Sequence, residues 1–452
     1  MQEIQSLDTW AIQEMRNTKL PDKRYLKNLT QMCIRLSSYT AQSFSSACGP
    51  LLRKSAHRLF SEKDLDIQSG HIEETVSRCK AQIRVLVLED TTDINYRGHK
   101  QTEGLGDLGG GMKPIAGICA HTALTVSMDK EPLGLLGQHI WAPVSETRKS
   151  ALLKKLNIEQ KESYKWLRTV QWVNQHLQTY DGQVIIVGDR EGDFYEHFSA
   201  PRNDKVDLVV RLLHKHRNVQ WNNQKIRVSD LHSKLSCAGE RKITLPARKG
   251  QKEREATLSI RYTAVICPGR KGHKEPGIPL NIIWAVEENP PSGVAPLEWI
   301  IMTTLPINSL EQAIEIIDIY AMRWIVERFF YVLKQGLRIE RLQFDNFTRL
   351  SNAIKLCSIV AWYLIRIAYL SKSNEHDSAD KHFDATEKVI LEKVTNKKIE
   401  TVRDYILSLG KLVGFVPSKK QPYPGEKLLW QAIQQMNTMK TGFLLSQNYG
   451  TG

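Results

Sequence analysis

The sequence has little that would tie it to an oxidising compartment or to a membrane. Its seven cysteines, Cys33, Cys48, Cys79, Cys119, Cys237, Cys267 and Cys357, are scattered, odd in number and never spaced as CxxC. That spacing excludes a disulfide framework and a zinc knuckle, and it suits a reducing compartment. The histidines form no HExxH pair. The opening residues, MQEIQSLDTW, are polar and acidic, unlike a signal peptide. The longest apolar run, Ile354 to Leu370, is interrupted by Lys355 and Arg366, so it reads as a buried helix rather than a membrane span. A glycine-rich stretch, YRGHKQTEGLGDLGGGMKP from Tyr96, lacks the GxxxxGK[ST] pattern and does not directly precede a helix. A nucleotide cradle is thereby excluded there. Acidic residues are also in deficit: 49 Asp and Glu stand against 63 Lys and Arg, a formal net charge of +14. Such an excess favours a polyanion as partner, nucleic acid before an anionic membrane.

At 452 residues and 41% hydrophobic, the chain can bury a sizeable core in two to four domains. Residues 1–80 read as all-helical, with helices expected over Leu7 to Met15, Arg24 to Ser38 and Ser55 to Phe60. Asp22, after Pro21, is expected to cap the second. Lys19, Lys23, Arg24, Lys27, Arg35, Arg53, Lys54 and Arg58 make this module rich in cations, which suits contacts to phosphates. From residue 81 the pattern turns to strands. Ala81 to Leu88 ends at Glu89-Asp90-Thr91-Thr92, and Ile115 to Ser127 and Leu133 to Trp141 come next. After a charged helix over residues 159–178, Gln183 to Val187 is followed at once by Gly188-Asp189, and Val206 to Leu212 contains Arg211. Residues 213–305 read as a β-rich insertion with strands near 241–246, 254–264, 280–286 and 298–304, the last carrying Trp299. Basic turns are expected at Arg248 to Lys252 and Pro268 to Gly272; a charge run of this kind is ordinarily a solvated face, and contact with DNA is the alternative. Helices are expected again over 347–373, 384–395 and 400–412, and an amphipathic segment comes after Pro424-Gly425. Three strands, a helix, then strands alternating with helix is a ribonuclease-H-like arrangement: a mixed α/β sheet with acids at neighbouring strand ends. Functional groups in open α/β sheets gather at the carboxyl ends of strands.

The densest stretch is YAMRWIVERFFYVLK, Tyr320 to Lys334. Wound as a helix, it sets Tyr320, Arg323, Glu327 and Lys334 on one stripe about 60° wide, with most of the remaining surface apolar. A carboxylate, two cations and a phenol on a buried helix need partners. Two readings stay open. Arg323, Glu327 and Lys334 form an internal salt-bridge ladder, or Glu327 faces a metal while Arg323, Lys334 and Tyr320 face phosphates. With Asp90 and Asp189, Glu327 would make a two-metal carboxylate site.

These motifs resemble those of the cut-and-paste DNA transposases of the insertion-sequence-four family, transposon-five type. The carriers are LEDTT with Asp90, VGDREGD with Asp189, and the spacing Tyr-x2-Arg-x3-Glu-x6-Lys at Tyr320, Arg323, Glu327 and Lys334. IDIYAMRWIVERFF, ENPPSGVAPLEW, DLVVR and LVGFVPSKK also follow the family, and the likeness runs along nearly the whole chain. The resemblance implies an acidic triad of Asp90, Asp189 and Glu327 binding two Mg²⁺ ions, or Mn²⁺ in their place. It implies that Tyr320, Arg323, Lys334 and Arg211 hold transposon-end DNA, that Trp299 stacks on a flipped base during hairpin formation, and that Arg58 belongs to an end-recognising domain, residues 1–80. Residues 81–372 would be the catalytic core and 373–452 a helical dimerisation domain. The enzyme would excise its element by hydrolysis and a hairpin, and join 3′-hydroxyl ends to target DNA as a homodimer at the bacterial nucleoid. Where relatives carry His-Lys, this chain has Phe330-Tyr331. A silent end-binding inhibitor, and a nuclease of the same fold without strand transfer, are the alternatives.

Overall fold

The computed structural model describes residues 9–99, 101–109, 114–144, 156–245, 254–270 and 274–449. The start of the first expected helix, part of the glycine-rich stretch, the turn at Arg248 to Lys252 and the Lys271-Gly272 pair lie outside them. Four helices lead: α1 (Thr9–Met15), α2 (Tyr25–Ser38), α3 (Phe44–Leu59) and α4 (Ser69–Lys80). Strands β1 (Arg84–Asn95), β2 (Gly106–Asp107), β3 (Ala116–Ser127) and β4 (Pro132–Trp141) come after them. Helix α5 (Tyr164–His176) precedes β5 (Gln183–Gly188) and β6 (Val206–Arg211). Next come β7 (Asn218–Trp221), β8 (Gln224–Arg227), β9 (Gly239–Leu245), β10 (Arg254–Cys267), β11 (Ile278–Val286) and β12 (Glu298–Thr303). The chain finishes in helices α6 (Leu310–Met322), α7 (Trp324–Tyr331), α8 (Phe347–Ser373), α9 (Ala385–Thr395), α10 (Val402–Lys411) and α11 (Glu426–Tyr449).

These elements form two compact units. The first holds residues 1–81, 91–155 and 325–452; the second holds residues 82–90 and 156–324. In the first, β3 and β4 pair antiparallel, and β2 pairs with β3. Its centre is α8, by length and composition apolar enough to cross a membrane, yet 83% buried over that window. Three polar residues of α8 find partners inside this unit. Trp362 Nε1 donates to the Pro132 carbonyl at 2.9 Å, Gln138 Nε2 donates to Ser358 Oγ at 2.9 Å, and Arg366 bonds Glu131 at 2.9 Å. The charge of Arg366, which interrupts the apolar run, is thus half of an ion pair.

The second unit is built on a mixed sheet. β1, β5 and β6 run parallel. Their runs Val85–Leu88, Val184–Val187 and Leu208–Val210 are buried, the pattern of strands covered on both faces. β12 then joins β6 antiparallel, followed by β11 and β10, and β10 carries both β9 and β7. A mixed α/β chain with a large mixed sheet is consistent with the ribonuclease-H-like expectation.

Four local features differ from expectation. Asp22 does not cap α2; its carboxylate takes the backbone N–H and the guanidinium of Arg24 instead. β1 does not stop at Leu88 but runs on to Asn95, because Thr91, Thr92 and Ile94 are good strand formers. An unforeseen hairpin, β7–β8, turns at Asn222 (φ 47°) and Asn223 (φ 61°), the left-handed pair that a two-residue loop requires. The helix expected over 320–334 is broken. α6 ends at Met322, α7 begins at Trp324, and Val332–Gly336 winds as a π-turn closed by Leu337 N–H to the Val332 carbonyl at 3.1 Å.

Candidate active site

The parallel register of β1 and β5 pairs Leu88 with Val187. Carried two residues on, that register sets Asp90, still on β1, level with Asp189, the first residue past the end of β5; paired strands run about 4.8 Å apart. β6 pairs Val210 with Gly188, which brings Arg211 level with Asp189 as well. Gly188 gives the approach its closeness: a Cβ there would stand 3.0 Å from Glu89 Oε1 and 3.3 Å from the Trp166 ring.

Arg323, at the C-terminal end of α6, donates from Nη1 to Asp90 Oδ2 at 2.9 Å, both side chains 15% exposed. Asp189 caps a short turn, Arg190–Gly192, and its Oδ1 accepts the Glu191 N–H at 2.9 Å. Burial pushes the Asp189 carboxyl above its usual range, and neither the Glu191 N–H nor the charges of Arg323 and Lys165 outweigh it. Lys165 itself is held by Glu191 at 2.7 Å. Arg211 donates from Nη2 to the Glu298 carbonyl at 2.8 Å. Burial lowers its pKa, against the pull of the Tyr320 hydroxyl beside it. The Tyr320 ring meets the half-buried Trp299 edge-on, with centroids 5.3 Å apart and planes at 72°. Asp90, Asp189, Arg211, Trp299, Tyr320 and Arg323 are thus one neighbourhood of the second unit.

The other expected residues lie in the first unit. Glu327 sits in the first turn of α7. Lys334 sits on the π-turn, a distortion frequent at functional positions. It lines a cavity of about 500 Å³ with Arg338, Arg341, Lys427 and Trp430. Phe330 is buried, and Tyr331 stacks on Trp430 at 5.8 Å with the Arg328 guanidinium over it at 4.5 Å. Arg58 is exposed in the last turn of α3, as are Arg53 and Lys54 earlier in that helix.

Among the described residues, no group of three His, Cys, Asp or Glu side chains stands ready to hold a metal ion. In kind, however, the donors fit one. Two level carboxylates are the hard oxygens that Mg²⁺ takes, and the desolvated Asp189 is a carboxylate that a cation would stabilise in its charged form. Sequence reasoning missed Asp193. It is buried, its Oδ2 accepts the N–H groups of Leu213 and His214 at 2.8 and 3.2 Å, and Arg217 pairs with its other oxygen at 2.6 Å. It ties the end of the Asp189 turn to the chain leaving β6. The repeat of Asp four residues on in GDREGD was its one signal.

Residues 164–364 match the family model described as Transposase DDE domain. The match starts with α5 and ends within α8, so it takes in Asp189 and the Tyr320-to-Lys334 spacing but not Asp90. It supports a DDE transposase, a nucleic-acid-cleaving enzyme. Such enzymes act on DNA and generally use divalent metals.

Proposed function

We propose that the chain is a cut-and-paste transposase of the insertion-sequence-four family, transposon-five type, that binds terminal inverted repeats, excises its element through a hairpin and joins the 3′-ends to target DNA. The observation that carries this reading is the level pair Asp90 and Asp189, with Arg211 at the end of the next strand and Arg323, from the end of α6, bonded to Asp90. Asp90, Asp189 and Glu327 are the acidic triad for two Mg²⁺, or Mn²⁺. Bound there, divalent cations would stabilise charge on the attacking and leaving oxygens of an in-line displacement. Arg323 holds the charge of Asp90 in the absence of substrate and is a bidentate donor for a phosphate when it lets go. Arg211 and Tyr320 fix the backbone beside it, and Lys334 adds a point charge. Trp299, half-buried beside Tyr320, is the ring on which an unpaired base stacks. Nick, hairpin, opening and strand transfer are then one in-line displacement used four times, with water and a 3′-hydroxyl as the alternating nucleophiles.

In this reading residues 1–80 recognise the ends through Arg58 and its neighbours, 81–372 catalyse with 213–305 as insertion, and 373–452 dimerise, in the cytoplasm at the nucleoid. The test is to incubate purified protein with labelled linear DNA bearing its element's inverted repeat, with and without Mg²⁺, and to run denaturing gels. Metal-dependent nick, hairpin and blunt end in succession support the reading. A bound, uncut end points to a silent inhibitor. Cleavage with no joined product points to a nuclease.

A further inference from the structure

Directly behind the Asp90 and Asp189 pair, the second unit buries another acid and a histidine. Glu89 and His197 both have fully buried side chains, and His197 Nε2 lies 3.3 Å from Glu89 Oε1. The other ring nitrogen, Nδ1, donates to the Gly192 carbonyl at 2.9 Å. Gly192 closes the turn whose Glu191 N–H holds Asp189. The ring is fixed between Phe194, stacked at 5.6 Å and 23°, and Trp166 at 6.2 Å. A Cβ at Gly192 would come 3.3 Å from Nδ1, so the turn and the ring approach as closely as glycine allows. One imidazole thus hydrogen-bonds the turn that orients Asp189 and sets its other edge against the residue before Asp90. Phenylalanine fills the same volume without burying a polar ring, and burying a carboxylate beside an imidazole is costly in the absence of a return. Histidine alone presents nitrogen atoms on two edges of one rigid ring.

We propose that His197 is a positioning residue: by hydrogen-bonding the Gly192 carbonyl while its other edge lies against Glu89 it fixes the Asp189 turn against β1, and with it the spacing of the Asp90 and Asp189 carboxylates toward a divalent cation. This rests on the metal-binding role proposed for Asp90 and Asp189. Outer partners of metal ligands matter in proportion: their loss typically lowers metal affinity about 10–100-fold.

The test uses the full chain, free of DNA, and three substitutions. His197→Phe removes both contacts and keeps the volume. His197→Asn places an amide donor where Nδ1 stood, and His197→Gln places it where Nε2 stood. Amide hydrogen exchange is followed in peptides covering residues 188–193, and Mn²⁺ binding is measured by electron paramagnetic resonance. In His197→Phe the turn is expected to exchange about tenfold faster and Mn²⁺ to bind about 10–100-fold more weakly, with protection elsewhere in the second unit unchanged. His197→Asn restores the turn's protection and His197→Gln does not. Unchanged exchange in His197→Phe, or equal protection in the Asn and Gln variants, overturns the positioning role. The Asn–Gln contrast decides it even where the Phe variant fails to fold. Wild-type protein that binds no Mn²⁺ overturns the metal role of the two aspartates instead, while the exchange data still decide what His197 does to the turn.

Discussion

In the C-terminal helices Lys440 is fully buried, and Asp384 at 3.3 Å and Glu387 at 2.9 Å reach it there. Tyr405 donates its hydroxyl to the second oxygen of Glu387 at 2.6 Å, and burial pushes that phenol well above its usual pKa. In the second unit Asp90 takes Arg323, but Asp189 is left raised by burial with a backbone N–H as its closest aid. Both clusters desolvate charge. The first answers it within itself and is structural; the second keeps a carboxylate less stable in its charged form than water would, which is the condition a bound cation relieves. Burial of charge does not mark a functional site by itself. Incomplete compensation is what the metal role proposed for Asp189 requires.

The comparison breaks most visibly at Asp189. Asp189→Ala is expected to cut strand cleavage by about a thousandfold or more, since metal-held charge stabilisation is worth several kcal/mol, while shift assays still show end binding. Loss of binding with cleavage intact would sink the assignment. Lys440→Met should act on the fold instead. It strands two carboxylates and is expected to cost about 3–5 kcal/mol in urea unfolding, with cleavage per folded molecule unchanged. Arg323→Gln removes a charge-assisted bond worth about 1.5–3 kcal/mol; cleavage should fall about 10–100-fold, measured in single-turnover assays at saturating DNA. Trp299→Ala should forfeit about 1–3 kcal/mol of base stacking, so that nicked product accumulates ahead of hairpin on denaturing gels.

The smallest effect is one of sign. Asp404 sits in the capping box of α10. Burial pushes its carboxyl up, but Lys397 and the Thr401 hydroxyl and N–H outweigh that and hold it at about 2. Its contribution to stability is present above the ordinary value of 3.8 and is lost as pH falls through about 2. Asp189 runs the other way: the native state holds its proton more tightly, so its contribution is present below 3.8 and lost as pH rises through the raised value. Asp404→Asn should therefore lower the Tm at neutral pH, Asp189→Asn should raise it, and both differences should vanish in strong acid.

Much of this was legible in sequence. The strand runs Val85–Leu88 and Gln183–Val187 are apolar and short, and the acids after them stand out. Register was not legible: that Leu88 pairs with Val187, which sets Asp90 and Asp189 level, comes from tertiary pairing. The break at Arg323 and the π-turn carry no proline, and Gly336 is the only mark in the string. Lys440 lay within a stripe legible only as amphipathic, because a buried ammonium is set by Asp384 and Glu387, more than fifty residues away. His197 gave no sign at all, being one histidine whose role depends on which carbonyl its ring meets.

The π-turn at Val332–Gly336 holds one residue more than regular winding would. Deleting any one of the five would restore regular winding and keep the chain beyond Gly336 in phase, but it would carry the residues of the turn itself, Lys334 among them, round by up to about 100° against Glu327. At these positions the number of residues therefore matters as much as their chemistry. Single-codon deletions across 332–336 should be lethal to transposition where many substitutions are borne.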